Sequence, residues 1–234
     1  MQIEERKSSA EDIDVVIVGA GETASIAAEL ISENKIANIV GFVAEKTMVE
    51  VFDDESVHSL GDIEREFPVT ETYVFVAISS VWLNRERARI FKYLAGLGYR
   101  FLNIVDRSAR VAPSASLGRN LLLNRGSIVG TKCRIGDGTF ISEGGTVSHS
   151  SDVGQFCYLS AGCVLGGFSS LGDQSFVGLG SVISDRAQLS GPSILGAASY
   201  LPAGTWPAGV YRGAPAKSED IKAEDFLRLR AGQI

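Results

Sequence analysis

The stretch VGTKCRIGDGTFISEGGTVSHSSDVGQFCYLSAGCV, residues 129–164, repeats a pattern every six residues. Cut from Val111, the same register continues through sixteen hexads to Trp206. The first position is Val, Ile or Leu in all sixteen, and the fifth is small in all but one, the exception being Leu121. A helix repeats every ~3.6 residues and a half-buried strand every ~2, so neither explains this period. The pattern predicts short strands joined by corners, with the aliphatic side chains stacked inward.

This uninterrupted repeat resembles the hexapeptide-repeat left-handed parallel β-helix, in which three hexads make one coil. The resemblance implies that residues 111–206 form about five coils. All three cysteines, Cys133, Cys157 and Cys163, occupy the small fifth position. That position predicts buried packing residues rather than nucleophiles.

The first half of the chain has a different pattern. DVVIVGAGETASIAAELI, residues 14–31, predicts an apolar strand, a glycine turn and an amphipathic helix. Gly19, Gly21 and Ala24 form G-x-G-x-x-A, a spacing that lets a phosphate group approach the helix N-terminus. The alternative is a strand-to-helix turn that needs glycine for its own geometry.

Further strands are predicted at 38–45, 72–80 and 99–105, with a helix at about 81–97. The sequence therefore predicts two domains. Residues 1–105 form a small Rossmann-like α/β domain after a flexible lead-in over 1–12. Residues 106–234 form the all-β helix domain and a tail with a short C-terminal helix.

The composition excludes several classes of protein. The net charge is −6 and the pI about 5.1, which argues against nucleic acid and anionic membranes as partners. No apolar stretch reaches the ~20 residues that a membrane helix needs, and the N-terminus lacks the apolar segment of a signal peptide. Three cysteines without a C-x-x-C pair suggest neither a disulfide framework nor a zinc site. We expect a soluble cytoplasmic protein that uses no metal.

A small glycine-turn domain followed directly by a hexapeptide helix resembles one family of sugar acyltransferases. This family includes the sialic acid O-acetyltransferases and the N-acetyltransferases of nucleotide-linked 4-amino sugars. Four stretches carry the resemblance: VGAGETA (18–24), VGFVAE (40–45), LGYRFLNIVDRSARVAPSA (97–115) and GVYRGAPAK (209–217). It implies transfer of acetyl from acetyl-CoA to the amino group of a nucleotide-linked amino-deoxy sugar, in surface polysaccharide or glycan biosynthesis. It also implies a homotrimer in which neighbouring subunits share the coenzyme A groove.

The resemblance also implies roles for particular residues. His149, in the outward third position of its hexad, corresponds to the general base. An imidazole with a pKa of about 7 suits the removal of a proton from an amine that attacks a thioester. The implied acetyl-CoA contacts are Tyr158, Gly167, Leu179, Ala197 and Lys217, and the implied substrate contacts are Gly19, Gly21, Glu22, Thr23, Glu45 and Ser79.

Departures from the family pattern leave alternatives open. Ser150 follows His149 where the family often has an acidic residue, so Glu143 and Asp152 are the candidates for orienting the imidazole. A histidine in an outward turn can also be merely solvated, as can Lys217. The alternative functions are O-acetylation of a sugar or sialic acid hydroxyl, and a non-catalytic trimeric protein that binds sugar nucleotides.

Overall fold

The computed structural model describes residues 13–45, 57–80 and 82–214. The lead-in expected over 1–12, Lys217 and the short C-terminal helix lie outside the described residues. None of the helices in the described part of the chain is both long enough and apolar enough to cross a bilayer.

The small domain is an α/β unit around a parallel sheet. Its elements in chain order are β1 (Asp14–Val18), α1 (Glu22–Asn34), β2 (Asn38–Ala44), β3 (Val57–Ser59), a 3₁₀ turn (Leu60–Asp62), α2 (Ile63–Glu66), β4 (Thr72–Val76), α3 (Arg85–Gly96) and β5 (Arg100–Phe101). The sheet order is β3-β2-β1-β4-β5, and every neighbouring pair is parallel. Strand β1 lies at the centre, and its four residues after Asp14 are buried because side chains cover both faces of the sheet.

The second domain is a parallel β-helix with three flat faces. The covered face has the strands Ile104–Val105, Leu122–Leu123, Phe140–Ile141, Tyr158–Leu159, Phe176–Val177, Ile194–Leu195 and Val210–Tyr211. The apolar face has Arg110–Val111, Ile128–Val129, Thr146–Val147, Val164–Leu165, Val182–Ile183 and Tyr200–Leu201. The polar face has Ser116–Leu117, Arg134–Ile135, Asp152–Val153, Ser170–Leu171, Ala187–Leu189 and Gly204–Trp206. These names are used below.

The hexad pattern explains the packing inside the prism. In Thr146–Val147, as in its neighbours, the second residue is buried and the first faces outward. Val147 pairs with Val129 below and Leu165 above, so aliphatic side chains stack one coil apart. The three cysteines lie in this core with no exposed surface, and burial raises the pKa of Cys157 and Cys163 to about 12. These two thiols remain protonated at neutral pH and act as packing groups.

The structure extends the repeat by one hexad at its beginning. Residues 99–105 are divided between β5 in the small domain and Ile104–Val105, which pairs with Leu122–Leu123 in the β-helix. No glycine or proline separates the two pieces, so the sequence does not mark the change of sheet. Strand β3 and helix α2 are additions that the sequence analysis did not predict.

The small domain packs on the covered face through buried polar and aromatic groups. Phe75 of β4 stacks on Phe140, with ring centroids 5.7 Å apart. The Asn120 side chain accepts a hydrogen bond from the Val76 N–H (2.6 Å) and donates to the Val76 carbonyl (3.2 Å). Because Asn120 satisfies both backbone polar groups of Val76, the last residue of β4, it fixes the end of the sheet against the prism.

Arg87 of α3 makes the second polar tie between the domains. Its guanidinium is fully buried, lies 3.9 Å from the Phe140 ring centroid and donates to the Asn84 side chain. It also donates to backbone carbonyls of both domains, those of Ile78, Ser79, Gly138 and Cys157. Burial lowers the pKa of Arg87 to about 9, which still leaves the group charged at neutral pH.

Candidate active site

A cavity of about 410 Å³ opens where β1, β2 and β4 end. The carboxyl ends of parallel strands meet at one edge of a sheet, which is where α/β folds bind ligands. All six residues expected to contact the substrate line this cavity: Gly19, Gly21, Glu22, Thr23, Glu45 and Ser79. The structure therefore brings together groups that are up to sixty positions apart in the sequence.

The glycine turn after β1 shapes one wall of the cavity. Gly19 has φ +142°, and a Cβ there would lie 2.6 Å from the Ala77 carbonyl oxygen, so the turn requires glycine. Gly21 caps α1, and a Cβ there would meet nothing within 4 Å. The space beside Gly21 is therefore open, and the unpaired N–H groups at the start of α1 can receive an anionic group.

A carboxylate and its cation form another part of the rim. Glu45 accepts a 2.8 Å hydrogen bond from Arg89 of α3, which also donates to Glu86 at 2.9 Å. No local sequence pattern marks Arg89 as part of the site. The two partners are 44 positions apart, and only the folded sheet shows that the end of β2 faces α3.

Tyr158 forms the wall contributed by the β-helix. Its ring stacks on Phe176 at 5.7 Å, and its side chain lines the same cavity as the glycine turn. The sequence resemblance placed Tyr158 near acetyl-CoA. Within one chain its neighbours are the residues expected to hold the substrate.

His149 lies on the corner that joins the apolar face to the polar face. It follows the strand Thr146–Val147, and its side chain is exposed. The imidazole lies against Gly167 one coil above, where a Cβ would come within 2.6 Å of Cε1 and 2.7 Å of Nε2. Its ring also meets Phe168 edge to face, at 5.1 Å between centroids.

Neither acidic candidate contacts this imidazole. Glu143 accepts a hydrogen bond from Asn124, and Asp152 pairs with Arg134. Among residues 13–45, 57–80 and 82–214, no carboxylate of the same chain bonds to His149, and no group of three or more His, Cys, Asp or Glu side chains is suited to hold a metal ion.

Leu179 and Ala197 lie on a different corner, between the covered and apolar faces. Both side chains are exposed, and the two residues are neighbours on successive coils, because the Ala198 N–H donates to the Leu179 carbonyl at 2.8 Å. They form a ridge along the prism axis. The two further acetyl-CoA contacts expected within the described residues lie elsewhere, Gly167 beside His149 and Tyr158 in the cavity.

The three-sided cross-section fixes the relation between the two parts of the site. The corner that carries His149 joins the apolar and polar faces, so it is opposite the covered face. The cavity lies on the covered face, because Tyr158 and the small domain line it. Within one chain, the cavity and His149 are therefore on opposite sides of the prism.

The arrangement has relatives among solved structures. A histidine-to-alanine variant of GDP-perosamine N-acetyl transferase from Caulobacter crescentus, in complex with CoA and GDP-perosamine, is 25% identical. That match covers 87% of this chain and 95% of the other, with a TM-score of 0.77. The acetyltransferase domain of PglB from Neisseria gonorrhoeae, in complex with acetyl coenzyme A, is 23% identical, with a TM-score of 0.78 over 88% of this chain and 98% of that domain.

The predicted fold class is confirmed. The chain combines a Rossmann-like parallel sheet with the left-handed parallel β-helix of these acetyltransferases, and it resembles the hexapeptide-repeat sugar acyltransferases. WeeI from Acinetobacter baumannii also has this architecture, at 16% identity over 88% of this chain and 99% of its own, with a TM-score of 0.59. No model of a known protein family matches the sequence, and no curated protein matches it either.

Proposed function

We propose that this protein is an acetyl-CoA-dependent N-acetyltransferase that acts on the amino group of a nucleotide-linked amino-deoxy sugar. The observation that carries the proposal is the cavity at the ends of β1, β2 and β4, which gathers all six residues expected from the sequence. The Caulobacter enzyme supports it, because that relative shares a quarter of its residues with this chain over nearly its whole length and binds both CoA and GDP-perosamine.

In the proposed reaction, His149 is the general base. The sugar amine nitrogen attacks the thioester carbonyl carbon, the new C–N bond forms, and the C–S bond then breaks. His149 takes the proton from the nitrogen and returns it to the departing thiolate, so the imidazole ends as it began. The thiols of Cys157 and Cys163 are buried and protonated, so they are poor nucleophiles for an acyl-enzyme, and direct transfer is favoured.

The proposed active unit is a homotrimer, because one chain cannot bring its cavity to its own His149. The outward residues of the apolar face include Ile128, Val164, Val182 and Tyr200, whereas those of the polar face include Arg134, Asp152 and Gln188. An apolar stripe on an exposed face marks a contact surface. Packing the apolar faces around a three-fold axis would bring the His149 corner of one subunit toward the Leu179 and Ala197 ridge of the next.

A turnover assay tests the proposed activity directly. Purified protein is incubated with acetyl-CoA and a panel of UDP-, dTDP- and GDP-linked amino sugars, and the free thiol of coenzyme A is measured. We expect release with at least one nucleotide-linked amine, and release at least about a hundredfold slower from the same protein carrying His149→Asn. Release with hydroxyl acceptors alone would indicate O-acetylation, and the absence of any turnover would contradict the proposal.

The shared site can be tested by mixing two inactive variants. His149→Asn leaves the cavity intact, whereas Gly21→Phe fills the open space beside the glycine turn and leaves His149 intact. After unfolding and refolding together in equal amounts, about one quarter of the sites would combine the intact cavity of one subunit with the intact histidine of another. If activity does not return in refolded mixtures that sediment as trimers, the two halves do not come from different subunits.

A further inference from the structure

The His149 imidazole is held by packing rather than by a charge partner. Gly167 lies directly against the ring, and any side chain there would overlap with Cε1 and Nε2. Phe168 approaches the ring at an interplanar angle of 83°. These two neighbouring residues form a seat for the imidazole.

The backbone fixes the position of Phe168. Its N–H donates to the His149 carbonyl at 3.0 Å, and the Arg186 N–H donates to the Gly167 carbonyl at 2.9 Å in the next coil. Phe168 has φ +57°, in the left-handed region, so the corner is a tight turn in which the Cβ direction is set. The aromatic ring can therefore change position only by rotation of its own side chain.

A cation lies over the Phe168 ring. The Arg186 guanidinium carbon is 5.1 Å from the ring centroid, within the range of a cation–π contact. The contacts of Phe168 thus link His149 and Arg186 along one corner of the prism, through three coils. Phe168 is 52% exposed and belongs to none of the hydrophobic core clusters, so packing of the core does not explain its presence.

We infer that Phe168 is a positioning residue for the proposed acetyl transfer and orients the His149 imidazole where a carboxylate would otherwise do so. The inference rests on the proposed function. A general base must lie within hydrogen-bond reach of the proton that it removes, so free rotation of the ring would reduce the fraction of productive encounters. The Phe168 ring, packed at 83° to the imidazole, restricts that rotation, and Arg186 restricts Phe168.

Kinetics of Phe168→Ala, Phe168→Leu and Phe168→Tyr test the role. We expect the first two to lower kcat about tenfold to a hundredfold, because small misplacements of a reacting group are costly. Phe168→Tyr keeps the ring and should restore most of the rate, and Arg186→Met should give a smaller loss than Phe168→Ala. The KM for acetyl-CoA should remain close to that of the native protein in all four variants. An unchanged kcat would overturn the inference, and so would a raised KM for acetyl-CoA with kcat intact, which would make Phe168 a coenzyme A contact.

An NMR measurement tests this inference independently of the proposed function. The chain has two histidines, and His58 meets Phe67 edge to face at the same 5.1 Å, so it serves as an internal reference. In protein labelled at histidine, the Cε1–H resonance of His149, assigned with His149→Gln, should shift in Phe168→Leu while that of His58 stays in place. This measurement needs no turnover, so it can succeed even if the assay for acetyl transfer fails. A His149 resonance that Phe168→Leu leaves unmoved would overturn the contact itself.

Discussion

The two domains build their parts of the site in opposite ways. In the small domain, the ends of three strands and a glycine turn converge on one cavity, so residues far apart in sequence become neighbours. In the β-helix most corners repeat one backbone turn, with a positive φ at the fourth hexad position, and the corner at Ser150 and Phe168 differs from them in its side chains, His149 and Phe168 against Gly167. A repeat fold can therefore gain a reactive group through a few substitutions in outward positions. A cavity at strand ends, in contrast, requires compatible conformations in several loops.

His149→Asn gives the largest expected effect and tests the part of the site that the β-helix contributes. Asparagine keeps a polar side chain but cannot act as a base, so kcat should fall about 10²–10⁴-fold. Because the side chain is exposed, the oligomeric state and the affinity for coenzyme A should not change. His58→Asn is the matched control and should keep the native rate. If His149→Asn keeps a rate within a few-fold of native, positioning of the reactants alone carries the reaction.

Gly167→Ala should have the next largest effect. A Cβ at this position would lie 2.6 Å from Cε1 of His149, so the imidazole must move, and kcat should fall about 10²-fold. Gly96→Ala, at the end of α3, is the control, because a Cβ there meets nothing within 4 Å. If steady-state kinetics show equal rates for the two variants, the seat does not position the ring.

Arg87→Met tests the part of this contrast that concerns the small domain, through the stability of the fold. The substitution leaves several buried carbonyl oxygens without a donor, so the free energy of unfolding should fall by about 3 kcal/mol or more. Arg134→Met on the polar face removes an exposed ion pair and should cost about 1 kcal/mol or less. Chemical denaturation followed by circular dichroism gives both values. A loss of unfolding free energy in Arg87→Met as small as that in Arg134→Met would mean that the buried contacts of Arg87 contribute little to stability.

Substitution of the core thiols should have the smallest effect on the rate. Cys157→Ala and Cys163→Ala remove buried groups whose pKa is raised to about 12, so kcat should remain at the native value. In the native protein at pH 8, a thiol reagent should label these two positions only as the β-helix unfolds. Rapid labelling, or loss of turnover in either variant, would show that the repeat holds a reactive cysteine.

Much of the fold was predictable because the hexad pattern records burial directly. Aliphatic first positions such as Val147 and Leu165 face inward, and small fifth positions such as Cys163 fit beside them. The cavity was predictable in outline because strand ends and a glycine turn have a fixed relation in parallel sheets. Strand β3 was not predictable, since the segment that carries it has no apolar alternation to mark a strand.

The parts of the site that the sequence did not predict depend on contacts between distant segments. Arg89 meets Glu45 only because α3 packs beside the end of β2, and no local pattern records that pairing. Phe168 occupies an outward position of its hexad, where a large apolar side chain is unusual for this chain. Its importance becomes visible only when the coil below places His149 against it.

The bonds that Asn120 and Arg87 make across the domain boundary also limit how the molecule can move. Many two-domain enzymes close over a substrate by bending at a hinge, and such bending breaks few contacts. Here a hinge would have to break the two buried hydrogen bonds between the Asn120 side chain and the Val76 backbone, and it would have to expose the buried Arg87 guanidinium. We therefore expect the small domain to move with the prism as one body. We expect substrate and product to enter and leave through openings that are already present, without a closing motion of one domain on the other.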